Sequence, residues 1–270
     1  MFESFSRKHA IVTGGSSGIG LAAVRLLAEA GAKVSALALD DADLARLEAE
    51  HLEGVSTHPV DVTDRSAVFD AVAAAEAGHG TGDLLVTCAG VVRPGSFTEL
   101  ELDEFEREMA INYFGTLWAI RAVVPSMSAR GHGAIMAVSS FAGLLGLFGY
   151  TAYCPSKFAV RGLCESLHAE LKPRGVHVGC VFPPDTDTPM LAAEVPLKPP
   201  EAQASSMIPV MSADEVARAI LHGAERRRAR VFPGRRTPLL ARTVMALPGI
   251  TAAVTDRDVA RGARRRRAAR

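Results

Sequence analysis

Tyr153 and Lys157 stand four residues apart in the run GYTAYCPSKFA, with Ser139-Ser140 a short loop upstream. Side chains at i and i+4 share one face of a helix, so an ammonium placed there stays close to a phenol. A free phenol titrates near ~10 and exchanges protons poorly at neutral pH, whereas a neighbouring cation favours the phenolate and moves the group toward acid–base chemistry. The same spacing also suits an ordinary amphipathic helix whose tyrosine packs and whose lysine meets water. What decides between the two is the scaffold that carries the pair.

Near the N-terminus, Ala10-Ile11-Val12-Thr13 is a β-prone run that leads into Gly14-Gly15-Ser16-Ser17-Gly18-Ile19-Gly20 and then into an apolar helical pattern from Leu21. Strand, glycine turn and helix together form a dinucleotide cradle: glycines let the backbone approach a pyrophosphate, and the helix start offers N–H groups and a positive dipole end. The spacing Gly14-x3-Gly18-x-Gly20 departs from GxGxxG, and a plain tight loop is the alternative. Its position in the first βα turn, ahead of alternating β and α patterns, favours nucleotide binding. Strands are expected near residues 9–13, 33–39, 55–60, 83–88, 133–139, 176–182 and 229–232. Runs such as Leu84-Leu85-Val86 and Val176 to Val181 suit strands covered on both faces. The chain therefore reads as α/β, a single-domain doubly wound parallel sheet flanked by helices. Residues 1–236 form the dinucleotide-binding and catalytic domain, and residues 237–270 a basic, partly apolar C-terminal extension. Such sheets bind ligands at the carboxyl ends of their strands, where Gly14, Asp61-Val62, Ala89-Gly90, Ser140 and Pro183 all fall.

Taken in order, Thr13-Gly14-x-x-x-Gly18-x-Gly20, Cys88-Ala89-Gly90, Asn112, Ser140, Tyr153-x-x-x-Lys157 and Pro183 resemble the motif set of the short-chain dehydrogenase/reductase family, over roughly residues 9–232. The resemblance implies a Rossmann-type fold, NAD(H) or NADP(H), no metal, and the interconversion of a ketone with a secondary alcohol by hydride transfer. It assigns Tyr153 as proton donor and Lys157 as the cation that lowers the phenol's pKa and touches the ribose. Ser140, selected over Ser139 by the thirteen-residue step to the tyrosine, orients the carbonyl. Asn112 holds a water that relays protons from Lys157. Cofactor contacts are implied at Gly14, Ser16, Ser17, Gly18, Ile19 and Gly20 in the first turn, and at Asp40, Asp61, Val62, Ala89 and Gly90 after the next strands. Tyr153, Lys157, Pro183, Thr186 and Thr188 complete that set. Thr87 stands where family members usually carry an Asn that braces the central strand. Pro155, tolerable in a first helical turn, places Tyr153 near a helix start.

The end of the second strand reads Ala36-Leu37-Ala38-Leu39-Asp40-Asp41-Ala42-Asp43, without Arg or Lys. NADP needs a basic group near the adenosine ribose, and NAD usually meets a carboxylate there. Leu39, Asp40 and Asp43 thus favour NAD, although Asp40 lies slightly later than the acid of typical NAD-binding relatives, which would fall at Ala38. The same acids also suit a helix cap and first turn. A closer resemblance runs the other way. Gly146 to Tyr153, Ser156 to Leu163 and the run PPDTDTP at Pro183 to Pro189 are similar to the 3-ketodihydrosphingosine reductases. That resemblance implies NADPH and reduction of a long-chain keto lipid such as 3-ketosphinganine. The phosphate-binding Arg and Lys of that group correspond to Leu39 and Asp43, and its N-terminal membrane segment has no counterpart ahead of the first strand. Another hydrophobic alcohol or ketone (fatty, steroid or retinoid) is the alternative substrate, and a non-catalytic nucleotide-sensing protein the alternative class.

With 48% apolar residues, no run of eighteen uninterrupted apolar residues and no signal pattern in MFESFSRK, a cytoplasmic protein is expected. Cys88, Cys154, Cys164 and Cys180 form no CxxC pair and read as buried thiols. Charge is segregated: residues 226–270 carry fourteen Arg and two Asp, a balance of +12, so the preceding residues carry −12 in a chain of zero net charge. Thr237 to Val254 is mildly apolar, its Pro238, Pro248 and Gly249 argue against a long helix, and Arg264 to Arg267 follow. An apolar patch beside arginines can rest peripherally on an anionic membrane, while a solvated tail is the plainer reading. No nucleic-acid partner is expected, since no aromatic residues interleave the arginines. The family resemblance implies a homodimer or homotetramer.

Overall fold

The computed structural model describes residues 2–199, 201–202 and 209–268; the last two residues of the C-terminal extension lie outside them. In chain order the elements are β1 (His9–Thr13), α1 (Gly18–Glu29), β2 (Lys33–Ala38), α2 (Asp41–Glu48), β3 (Val55–Pro59), α3 (Arg65–His79), β4 (Leu84–Thr87) and α4 (Leu102–Glu108). A π-helical turn, Met109–Phe114, joins α4 to α5 (Gly115–Arg130). Then come β5 (Gly133–Val138), α6 (Tyr153–Leu171), β6 (Val176–Val181), β7 (Thr186–Asp187), α7 (Pro189–Glu194), β8 (Met211–Ser212), α8 (Ala213–Glu225), β9 (Arg230–Val231), α9 (Thr237–Ala246) and α10 (Pro248–Ala268).

Seven strands pair in the order β3-β2-β1-β4-β5-β6-β9, all parallel. The period of two along each strand sends alternate side chains into two cores. Ala10 and Val12 pack on the α1 and α8 side, whereas Ile11 packs on the α3, α5 and α6 side. Leu84 and Val86 against Leu85 repeat that division in the next strand. Every residue of β1, β4 and β6 is buried, which is why these runs are mostly apolar. The order reverses between β1 and β4, so a crevice opens at their carboxyl ends.

Helix starts follow local chemistry. The Asp40 side chain accepts from the Asp43 amide to cap α2, Asp64 accepts from Ala67 for α3, and Ser212 with Glu215 forms a capping box at α8. The short parallel pair β7 and β8, not anticipated from the sequence, ties the segment after β6 to the start of α8.

In the C-terminal extension no long helix spans Thr237 to Val254, as Pro238, Pro248 and Gly249 argued, because the segment is divided between α9 and α10; beyond that expectation, α10 runs on for 21 residues. Pro238 lies in the first turn of α9, and Pro248 opens α10. In a first turn the missing N–H has no helical partner to lose, so the prolines divide the segment into two helices instead of dissolving it. The chain bends by 102° between them. Ala241 and Val244 of α9 are buried in the same core as β5 and α6. Among the described residues, no single helix is long and apolar enough to cross a membrane.

Candidate active site

The first turn is shaped for close approach. Gly14 and Gly18 hold positive φ values of 66° and 51°, where only glycine sits without strain. A Cβ on Gly20 would lie 2.1 Å from the Gly14 carbonyl oxygen. Ser17 precedes α1 without a side-chain cap bond, so no side chain at that position occupies the helix's leading N–H groups. These features fit a dinucleotide pyrophosphate, held by the main chain of Gly14, Ser16, Ser17, Gly18, Ile19 and Gly20. Thr188 closes on this turn, its Cγ2 only 3.1 Å from where a Gly18 Cβ would stand.

At the adenosine end, Leu39 is 68% exposed and Asp40 is engaged as the α2 cap, while Asp43 pairs with Arg46. One Asp61 oxygen accepts from both the amide and the hydroxyl of Thr63, and Val62 is buried against Gly115. Ala89 backs Gly14, with its nitrogen 2.7 Å from the position of a Gly14 Cβ. Thr87, in the place of the family's bracing asparagine, buries a hydroxyl with no hydrogen-bond partner among the described residues.

Tyr153 is the first residue of α6, and Pro155 falls in its first turn. Lys157, one turn on and 5% exposed, places Nζ 5.5 Å from the Tyr153 ring centroid and donates to the Val138 carbonyl at 3.3 Å. The two adjacent serines diverge, as strand geometry requires. Ser139 is buried and donates to the Lys157 carbonyl at 2.8 Å, anchoring α6 to β5, whereas Ser140 accepts from Ala142 and lines the crevice. Asn112, fully buried in the π-helical turn, accepts from the Val91 amide at 2.8 Å. It donates to the Val91 carbonyl at 3.0 Å and to Ser156 at 2.9 Å. It thereby fixes the strand-like segment after Gly90 beside Lys157. A Cβ on Gly90 would stand 3.0 Å from Asn112 Oδ1 and 3.4 Å from Lys157 Nζ.

Burial governs the ionisation of this group. It pushes the Lys157 ammonium down to about 8, against the opposing pull of Cys88, Cys180 and Glu108. It also raises the Tyr153 phenol above its ordinary value, with Ser140 drawing it back and Glu194 and Glu108 adding to the rise. The expected lowering of the phenol by Lys157 is not what prevails in the protein by itself: desolvation dominates, and Ser140 is the group that draws the value down. Cys88, pushed up to about 12 by burial, is an inert thiol beside the site.

Ser140, Tyr153, Lys157, Gly90, Ile19, Pro183, Thr186 and Thr188 converge on one cavity of about 380 Å³. Asn112, Asp40, Asp61 and Val62 support or adjoin it without lining it. Much of its wall is apolar, from Phe141, Leu145, Leu147 and Phe148. Leu240 and Val244 of α9, with Val254 and Val259 of α10, complete that wall. Sequence reasoning had separated those last residues from the chemistry. It also missed Glu108, a wholly buried carboxyl that accepts from the Arg93 amide, and Glu194, which lines the cavity from α7. Nothing in their neighbourhoods distinguishes them from surface acids.

Residues 8–197 match the protein family described as short chain dehydrogenase. The chain is 42% identical over 225 residues to a 3-dehydrosphinganine reductase of Danio rerio, a match covering 80% of this chain and 68% of that protein. It is equally similar, with the same coverage, to a 3-ketodihydrosphingosine reductase of Bos taurus. Among solved structures it resembles gox2181 with a TM-score of 0.75 at 32% identity, covering 83% of this chain and 92% of that one. ElxO with NADP bound shares the fold at a TM-score of 0.73 and 24% identity, over 80% of this chain and 91% of that one.

Proposed function

The chain belongs to the short-chain dehydrogenase family, and we propose that within it the protein reduces the keto group of a long-chain amino ketone of the 3-ketosphinganine kind. It is an NAD(P)(H)-dependent oxidoreductase that interconverts a ketone and a secondary alcohol. The observation that carries the substrate is the cavity itself: a hydroxyl, a phenol and an ammonium at one end, and an apolar wall built in part by α9 and α10. An alkyl chain laid on that wall leaves water, at about 25 cal/mol for each Å² removed. The zebrafish and cattle relatives are named for a ketone of this kind.

When bound, NAD(P)H would supply the hydride for the carbonyl carbon. Ser140 holds the carbonyl oxygen and Tyr153 gives it a proton, so the charge that develops on oxygen is neutralised as it forms. The raised phenol pKa keeps Tyr153 protonated, the state a reductase requires of its donor. Lys157 holds positive charge beside the ring and is resupplied with protons from the side of Asn112. Gly14 to Gly20, Asp40, Asp61, Val62, Ala89, Gly90, Pro183, Thr186 and Thr188 would hold the dinucleotide. With Leu39 exposed and no Arg or Lys between Ala36 and Asp43, NADH serves at least as well as NADPH. The arginines of α10 draw the protein to anionic membranes from the cytoplasmic side, where such a lipid is presented. Exposed Phe114 and Phe158, beside the Asn112 and Tyr153 helices, are the contacts through which two copies pair.

The test is turnover of 3-keto substrates of increasing chain length with each cofactor. Catalytic efficiency should rise steeply with chain length. Equal efficiency on four-carbon and sixteen-carbon ketones would remove the basis for a lipid substrate.

A further inference from the structure

We propose that Glu194 recognises the ammonium of the substrate, making the enzyme selective for ketones that carry a charged amine on the neighbouring carbon. This rests on the amino-ketone reading above and names the group that enforces it.

The charged residues lining the cavity, among those described, are Lys157, Asp185, Glu194, Lys198 and Glu201. Lys157 belongs to the catalytic group. The opposite cluster sets three carboxylates against one ammonium. Glu194 is 9% exposed. Its Oε1 accepts from the Tyr150 hydroxyl at 2.6 Å and faces Lys198 Nζ at 3.0 Å. Lys198 is shared with Asp185, at 3.6 Å. Both contacts fall on the same oxygen. A carboxylate this deeply placed is costly unless its charge is answered. Lys198 answers part of that charge but is shared with Asp185, and a cation arriving in the cavity answers more of it.

Placement relative to the reacting centre supports the assignment. The Tyr150 ring that holds Glu194 lies 6.3 Å from the Tyr153 ring, centroid to centroid. The Glu194 charge reaches the Tyr153 phenol strongly enough to raise its pKa. An ammonium on the carbon next to the carbonyl therefore enters the field of Glu194 when the carbonyl oxygen meets Ser140 and Tyr153. The apolar wall takes the alkyl chain, leaving the carboxylate for the only charged part of the molecule.

The experiment compares a long-chain 2-amino-3-ketone with the same ketone lacking the amine, in the full chain and in Glu194→Gln, which keeps an acceptor for Tyr150 but removes the charge. Glu194→Gln should lower kcat/KM for the amino ketone by about 10- to 100-fold more than for the deaminated ketone, the weight of a hydrogen bond to a charged partner, whatever change the altered field at Tyr153 makes to both alike. Equal losses on both ketones would make Glu194 a structural latch and overturn the proposal; no loss on either would do the same. A wild-type enzyme that reduces long ketones with no preference for the amine overturns the proposal while the lipid-ketone reading stands. One inactive on both ketones overturns the reading itself. A measurement without any variant guards against misfolding: a ten-carbon 2-amino-3-alcohol should inhibit the wild-type protein about tenfold more tightly than its N-acetyl form. Equal inhibition by the two refutes an ammonium site.

Discussion

Replacing Glu108 by glutamine should stabilise the protein, by an amount that grows with pH. The carboxyl is 0% exposed, one oxygen accepts from the Arg93 amide, and the other is buried without a hydrogen-bond partner among the described residues. Burial, aided by Glu104, pushes its pKa from 4.5 to about 7, while the Arg93 amide, Lys157 and Arg107 pull the other way. Between those two values the folded chain keeps a proton that the unfolded chain has released. Stability from this group is thus complete below about pH 4.5 and is lost as pH rises through 7. The span corresponds to about 3 kcal/mol at ~1.4 kcal/mol per pH unit. Glutamine keeps the acceptor for Arg93 and never ionises. The stability of Glu108→Gln relative to wild type should therefore climb by about 3 kcal/mol between pH 4.5 and 8. Urea unfolding followed by circular dichroism at several pH values reads this directly, provided the slopes agree. A difference that stays flat with pH would refute the argument, because it would mean the carboxylate is not desolvated in the folded protein.

Tyr153→Phe should cut turnover by about 10²- to 10⁴-fold while dinucleotide binding, followed by fluorescence titration, persists; substantial retained activity would remove Tyr153 from its role. Reduction should decline above about pH 8 as Lys157 loses its proton, so a rate profile level to pH 10 would contradict the depressed ammonium. NADH should bind at least as tightly as NADPH, and Leu39→Arg should shift the balance toward NADPH; a clear NADPH preference in the unmodified protein would show that a base reaches the ribose from elsewhere. Deleting residues 255–270 should weaken binding to anionic vesicles and slow turnover of vesicle-borne substrate, and equal vesicle binding at low salt would assign those arginines to solvent alone.

The sheet was legible because each strand carries its own signature. The central strands, buried on both faces, are mostly apolar runs such as Leu84 to Val86 and Val176 to Val181, and they alternate with helical patterns, while β3 at the edge is partly buried and mixed in composition. The glycine turn and the choice of Ser140 over Ser139 were legible for a related reason, since backbone geometry there admits few residues. Glu108 was not legible. In Leu102 to Met109 it sits among Asp103, Glu104 and Glu106, and only the wider turn that follows and the packing around it put this acid inside. Glu194 likewise stands in a proline-rich stretch whose path is set by β7, β8 and contacts with Lys198 and Tyr150. Pro238 and Pro248 were legible as breaks in a long helix but not as helix starters, a distinction that depends on where each helix begins.

The π-helical turn at Met109–Phe114 has a consequence for how this site can change. One extra residue is accommodated in a single turn, and each residue of an ordinary helix advances the face by about 100°. Whether Asn112 looks toward Val91 or away from it is therefore a matter of counting, not of residue type. Substitutions along the turn leave that count intact, but a one-residue deletion would let the segment relax into a regular helix. Either Asn112 or the buried face of α5 would then be out of phase. Apart from Asn112 itself, whose side chain makes three hydrogen bonds, the phase of the turn depends on its length more than on its residue types.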